Sequence, residues 1–137
     1  MEKVIPHSFQ VHKKERLKSA SIISQLFEKG QSFSRYPLRL VWMEQKQAND
    51  SFPVQVAFSV SKRKFKLAVD RNRIKRQMRE AWRLNKHLLY EKVDNGGVNY
   101  ALMIIYVAKE KAPYAEVEKN MQKMIRKFIQ LSVERKH

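Results

Sequence analysis

The sequence predicts a single α+β domain, a sandwich with the order α-β-β-α-β-α and a further short strand near residues 31–36. Three observations predict it. Two segments alternate bulky apolar residues with small or polar ones, Leu38-Leu40-Trp42 and Val54-Val56-Phe58-Val60, the period-two pattern of strands with one buried face. Residues 70–91 repeat apolar groups at helical spacing, so a long helix follows those strands. Residues 99–108 are apolar at both alternating positions, which suits a central strand covered on both sides. Strand, helix and strand in that order imply a βαβ unit within the sandwich. A chain of 137 residues is the length of one domain, enough to close a modest core.

The elements follow in order. Residues 1–16 are polar and basic, contain Pro6 and lack periodicity, so they read as a mobile arm ahead of a domain spanning 17–137. Ser19 has the chemistry of a helix N-cap and Gly30 that of a helix end. Leu17, just before Ser19, and Ala20, Ile23, Leu26 and Phe27 mark a face expected to be buried. The polar stretch 44–53 reads as an exposed hairpin loop. The strand after it has a bulky face for the core and a small face, Gln55, Ala57, Ser59 and Ser61, suited to lie under a ligand. On the 70–91 helix, Ile74, Met78, Ala81, Leu88 and Leu89 form the apolar arc, with Trp82 at its edge. Arg73, Lys75, Arg76, Arg79, Arg83 and Lys86 occupy the other arc with Glu80. Asp94-Asn95-Gly96-Gly97 is turn chemistry. Pro113 opens the final helix, whose buried face is Val117, Met121, Met124, Ile125, Phe128 and Ser132.

Charge narrows the function. The chain carries 29 Lys and Arg against 13 Asp and Glu, a net charge of +16, and such an excess calls for a polyanionic partner. Residues 62–83 hold ten cations against two acids, half of that net charge. A merely solvated helix face mixes signs to limit repulsion, and this one does not. Arginine dominates within the helix, and its planar fork bridges two phosphate oxygens or stacks on a base. Asn72, between two arginines, is either a donor to RNA or a helix cap for which Asp70 competes. RNA is favoured over DNA. DNA-reading basic helices belong mostly to helical or zinc modules, whereas a sheet with a small polar face suits single-stranded RNA.

Other classes are excluded or poorly supported. The absence of cysteine rules out a disulfide framework and a thiolate nucleophile. No apolar run approaches the roughly 18 residues of a membrane span, so a cytoplasmic, non-membrane protein is expected. The histidines at 7, 12, 87 and 137 show no ligand spacing and the acids are scattered. Metal-assisted phosphodiester cleavage by the protein would need such a cluster. No catalytic residue and no resident metal site are therefore expected, with Asp70 the one acid placed to position a hydrated ion.

Ser59-Val60-Ser61-Lys62-Arg63, then Ala68-Val69-Asp70-Arg71-Asn72-Arg73-Ile74-Lys75-Arg76, then Arg79-Glu80 resembles the signature of the bacterial ribonuclease P protein subunit. Leu17-Lys18 and Leu26-Phe27-Glu28-Lys29-Gly30 resemble that family's first helix, and the resemblance covers about residues 15–135. It implies a ribosomal-protein-like fold with a left-handed βαβ crossover, where general rules favour a right-handed one. It also implies an enzyme in which a catalytic RNA removes the 5′ leader of precursor tRNA, with Mg²⁺ bound mainly by that RNA. One protein per RNA would bind both the catalytic RNA and the leader.

By position in the motif, Arg71, Asn72, Arg73, Lys75 and Arg76 meet the catalytic RNA, and Arg79 extends that contact. The leader cleft, between the first helix and the sheet, would take Phe27, Trp42, Gln55, Ala57, Ser59, Ser61 and Lys62; Phe27 is equally a candidate for the core, and for Trp42 core packing is the stronger reading, because strand tryptophans usually pack. Ile23 stands where many members have a second aromatic, with Trp42 or Tyr36 as its replacement. Lys64-Phe65-Lys66-Leu67 replaces a shorter glycine-containing turn. The alternative is a non-catalytic ribosomal or structural RNA-binding protein.

Overall fold

Four strands form one sheet in the order β1-β2-β4-β3, with β1 at Gln31–Arg35, β2 at Leu38–Gln45, β3 at Val54–Val60 and β4 at Asn99–Tyr106. The helices are α1 (Ala20–Lys29), α2 (Ala68–Asn85), α3 (His87–Val93) and α4 (Tyr114–Phe128), the last running on into π-helical turns at Ile129–Val133. The computed structural model describes residues 15–45, 53–93 and 98–133. The arm at 1–14, the loop at 46–52 and the Asp94–Gly97 turn lie outside the described residues.

β4 sits between its neighbours, antiparallel to β2 and parallel to β3. That corrects the hairpin expected at 44–53, because β2 and β3 never pair. The long apolar β4 takes the position between them, since it alone can be covered on both faces. The β3–α2–α3–β4 connection is the expected parallel crossover unit.

Alternation along the strands sorts the core into two layers. Leu40, Trp42, Val54, Val56, Leu102 and Ile104 face α2, α3 and α4 and join Ile74, Met78, Trp82, Val117, Met121 and Phe128 in the larger cluster. On the other face Val41, Ala101 and Met103 pack with Leu17 and Leu26, so α1 and the segment just before it cover that side. Leu26 is the buried residue of α1. Ile22 and Ile23 pack at the edge of this smaller cluster, whereas Phe27 stays 61% exposed.

Local signals explain the helix ends in part. The Ser19 side chain accepts from the Ile22 amide at 3.3 Å, the expected N-cap. Gly30 closes α1 by donating its amide to the Leu26 carbonyl at 2.8 Å. Its φ is −67°, an ordinary value, so the need for glycine is spatial. A Cβ there would lie 2.4 Å from the Leu26 carbonyl oxygen and 2.8 Å from Val41 Cγ1. Gly30→Ala is expected to cost about 1–3 kcal/mol by overpacking, measured as a lower denaturant midpoint with unchanged slope.

The 70–91 helix is two helices. α2 starts at Ala68 with Leu67 as its cap, two residues ahead of expectation, and α3 restarts at His87 after a turn at Lys86. Asn85 Nδ2 donates to the Ala81 carbonyl at 2.8 Å, competing with the main-chain ladder at the break. Neither Asn72 nor Asp70 serves as the N-cap. Asp70 lies in the first turn of α2, where its charge suits the helix dipole, and pairs with Lys111 at 2.9 Å.

The packed domain begins before residue 17, which shortens the expected arm. Glu15 is fully buried and accepts from Trp82 Nε1 at 3.1 Å, from Lys86 Nζ at 3.0 Å and from the Tyr90 hydroxyl. Arg16 bridges to Val56, and the Leu17 amide donates to the Val56 carbonyl at 2.9 Å, covering the outer edge of β3.

Burial, then the negative charge of Glu15 and the hydrogen bond to it, push the Tyr90 hydroxyl far above the ordinary value of 10.0. The unfolded phenol ionises near that ordinary value while the folded one keeps its proton. This contribution to stability is therefore complete below about pH 10 and declines above it. Denaturation at stepped alkaline pH should show the gap between the protein and Tyr90→Phe narrowing by about 1.4 kcal/mol per pH unit.

Candidate nucleic-acid interface

The chain leaves β3 through a turn whose shape is set by side chains. Ser61 Oγ accepts from the Arg63 and Lys64 amides at 3.1 and 3.3 Å, and Lys64 Nζ donates to the Val107 carbonyl at 2.7 Å. Phe65 is buried edge-on against Tyr106 with ring centres 5.8 Å apart. The Lys64–Leu67 segment is thus anchored by an aromatic side chain. Arg71 Nη1 donates to the Phe65 and Lys66 carbonyls at 2.8 and 2.9 Å, so this half-buried guanidinium braces the turn that leads into α2.

From there α2 presents its cations outward. Ile74, Met78, Ala81 and Trp82 are buried, which orients the opposite face rigidly. Asn72, Arg73, Arg76 and Arg79 are exposed and Lys75 is half-buried. The two acids of the segment are both engaged: Asp70 with Lys111, and Glu80 with Arg83 at 2.6 Å. The Arg83 hydrogen bond holds the Glu80 carboxyl below its ordinary value. The face of Arg73, Arg76 and Arg79 is consequently a strip of guanidinium groups with no carboxylate partner among the described residues.

The second candidate surface lies between α1 and the sheet. Strand register places Ser59, Ile105 and Arg39 in one row on the α1 face, and Ala57, Met103 and Val41 in the next. Gln55, Ala57, Ser59 and Ser61 are half-buried and Lys62 is exposed. Phe27 borders a hollow of about 350 Å³ with Leu26, Gly30, Ser32, Arg39 and Ile105, and the Ser59–Ile105–Arg39 row connects that hollow to β3. Arg39 donates to Ser32 Oγ at 2.9 Å. Phe27 is therefore a surface aromatic and not a core one.

Trp42 is a correction. It pairs with Leu102 and so faces the opposite side of the sheet, where it is 4% exposed and packs edge-on against Phe128 and Tyr100 at 5.1 and 6.4 Å. It takes no part in the cleft. Tyr36, the other proposed replacement aromatic, is exposed and donates to Glu110 at 2.9 Å. Arg39 and Ile105 carry no signal in the sequence, because only strand pairing brings them beside Phe27.

Among the described residues no three His, Asp or Glu side chains converge, and Asp70 is paired with a lysine.

Comparison with known proteins agrees with this architecture. The Ribonuclease P family profile matches residues 11–129. A protein named ribonuclease P protein component from Porphyromonas gingivalis is 38% identical over 123 residues, covering 88% of this chain and 87% of that relative. One of the same name from Chlorobium phaeobacteroides is 36% identical over 115 residues, 77% of each chain. The fold is shared with the RNase P protein of Staphylococcus aureus (TM-score 0.62, 21% identity, 87% of this chain and 96% of that one). It is shared also with that of Thermotoga maritima (TM-score 0.63, 19% identity, 82% and 96%). With relatives that match along most of its length and a sheet built as theirs is, this chain belongs to the ribonuclease P protein family.

Proposed function

We propose that this protein subunit of ribonuclease P binds the enzyme's catalytic RNA through the cationic face of α2 and the 5′ leader of precursor tRNA through the surface beside Phe27. The observation that carries this reading is the exposed Arg73, Arg76 and Arg79 strip on a helix whose other face is core. The RNA performs the endonucleolytic cut and holds the Mg²⁺, one protein serves one RNA, and the assembly works in the cytoplasm without DNA or membrane. The protein supplies charge: its guanidinium groups neutralise phosphates where substrate and catalytic RNA crowd together, which lowers the Mg²⁺ concentration required. In support, no helix among the described residues is long and apolar enough to cross a membrane, and the acids of the α2 segment are already paired.

The test is cleavage of a leader-bearing tRNA transcript at low Mg²⁺ by the protein alone, by the source organism's ribonuclease P RNA alone, and by both. Cutting at low Mg²⁺ only by the combination is the expected result. RNA activity unaltered by the protein at every Mg²⁺ concentration would leave a general RNA-binding protein instead.

Phe27→Ala isolates the leader surface. It should lower the preference for leader-bearing over leaderless tRNA by about 1–3 kcal/mol, the worth of one stacked base. The side chain is 61% exposed, so the melting temperature should barely move.

A further inference from the structure

A separate cleft of about 220 Å³ opens between the outer edge of β3, α2 and residues 16–18. Leu17, Val56, Ala57 and Phe58 supply its apolar lining, and Arg16, Lys18, Lys75 and Arg79 its polar groups. We propose that this cleft is a binding subsite for a phosphodiester of RNA, built jointly by α2 and the segment before α1, and that Glu15 is its positioning residue. The inference rests on the reading that α2 faces RNA.

Three observations carry it. Among the described residues the lining holds four cations and no carboxylate, an arrangement that repels itself until an anion enters. Phe58 is half-buried beside them, which gives the base next to that phosphate an apolar surface to lie on. Burial alternates along the entering segment: Glu15 and Leu17 are inside, Arg16 and Lys18 outside. A short extended segment has little stiffness of its own. Its register here is fixed by the Leu17–Val56 hydrogen bond and by Glu15, held from three directions by Trp82, Lys86 and Tyr90. Anchoring Glu15 therefore sets where the two following outward cations stand relative to Lys75 and Arg79.

Two RNAs offer the same chemistry, so the experiment has two arms. One measures binding of the protein to ribonuclease P RNA against salt. The other measures binding of leader-bearing and leaderless precursor tRNA to the assembled enzyme. Arg16→Ala with Lys18→Ala should reduce the log–log salt slope by roughly 0.7–0.9 in one arm, the equivalent of that one phosphate, and the arm that responds names the RNA. Glu15→Gln should reduce the same slope, yet change little further once Arg16 and Lys18 are alanine. A purely structural role would lower affinity equally in both backgrounds. Should Glu15→Gln fail to fold, Tyr90→Phe loosens the same carboxylate by a single hydrogen bond and takes its place.

Unchanged slopes in both arms for the Arg16/Lys18 variant, with a reduced slope for Lys75→Ala/Arg79→Ala, would overturn the subsite and leave the α2 reading intact. If neither pair alters either arm, the α2 reading itself fails.

Discussion

Replacing Arg73 and Arg76 together with alanine weakens binding to the ribonuclease P RNA by roughly a hundredfold or more, at about 1.5–3 kcal/mol for each charge-assisted hydrogen bond. Both side chains are exposed, and neither supports the core through Ile74 or Met78, so thermal stability should stay within about 0.5 kcal/mol. The salt dependence separates this outcome from misfolding. Each phosphate that is no longer neutralised flattens the log–log slope by about 0.7–0.9, so the double variant should show a slope shallower by about 1.4–1.8. Arg73→Lys with Arg76→Lys retains the charge but gives up the bidentate fork. It should restore most of the slope and only part of the affinity. Filter binding across a salt series, with a melt on the same samples, reads all three quantities. Unchanged affinity in a protein that melts normally removes the basic helix from the functional account.

Glu15→Leu has the largest expected effect on stability. The carboxylate is fully buried and receives Lys86 Nζ at 3.0 Å, with Lys86 itself 1% exposed. Removing one partner of a buried ion pair costs about 3–5 kcal/mol, because the other charge stays desolvated. Adding Lys86→Met should recover part of the loss by removing that charge. Recovery stays incomplete, since the Trp82 and Tyr90 donors still lack the acceptor they use, at about 1–3 kcal/mol for each such group. Urea denaturation of the protein, Glu15→Leu and the double variant tests this ordering, and a double variant weaker than the single one would contradict it.

Much of the local structure was legible in the order of residues. Ser19 and Gly30 bracket α1 as a polar cap and a glycine do. The apolar positions of α4 from Val117 to Phe128 are buried as their spacing requires. The exposed α2 cations are legible in the sequence because Ile74, Met78 and Ala81 define the buried arc by themselves, leaving Arg73, Arg76 and Arg79 to face out. The exposed Phe27 was undecided for a physical reason: it falls on the apolar stripe of α1, but a helix lying on a sheet buries only a narrow strip of that stripe.

What sequence could not decide involves pairing between distant segments. An alternating strand pattern says which residues share a face but not which face meets which layer, so Trp42, which reads as core more readily than as cleft, is placed opposite α1 only by its register with Leu102. The β2–β3 connection read as a hairpin because nearby strands usually pair, and only the insertion of β4 between them shows otherwise. Glu15 and Arg16 looked like arm because no local periodicity marks them. They join the fold through partners at Val56, Trp82, Lys86 and Tyr90, at least 40 residues away. The sequence by itself determined the charge, the buried arc of α2 and hence the direction its arginines point, since these follow from composition and a 3.6-residue repeat. The tertiary structure decided which loops and edges stand beside that face, because long-range strand order and buried polar pairing depend on contacts that no local pattern encodes.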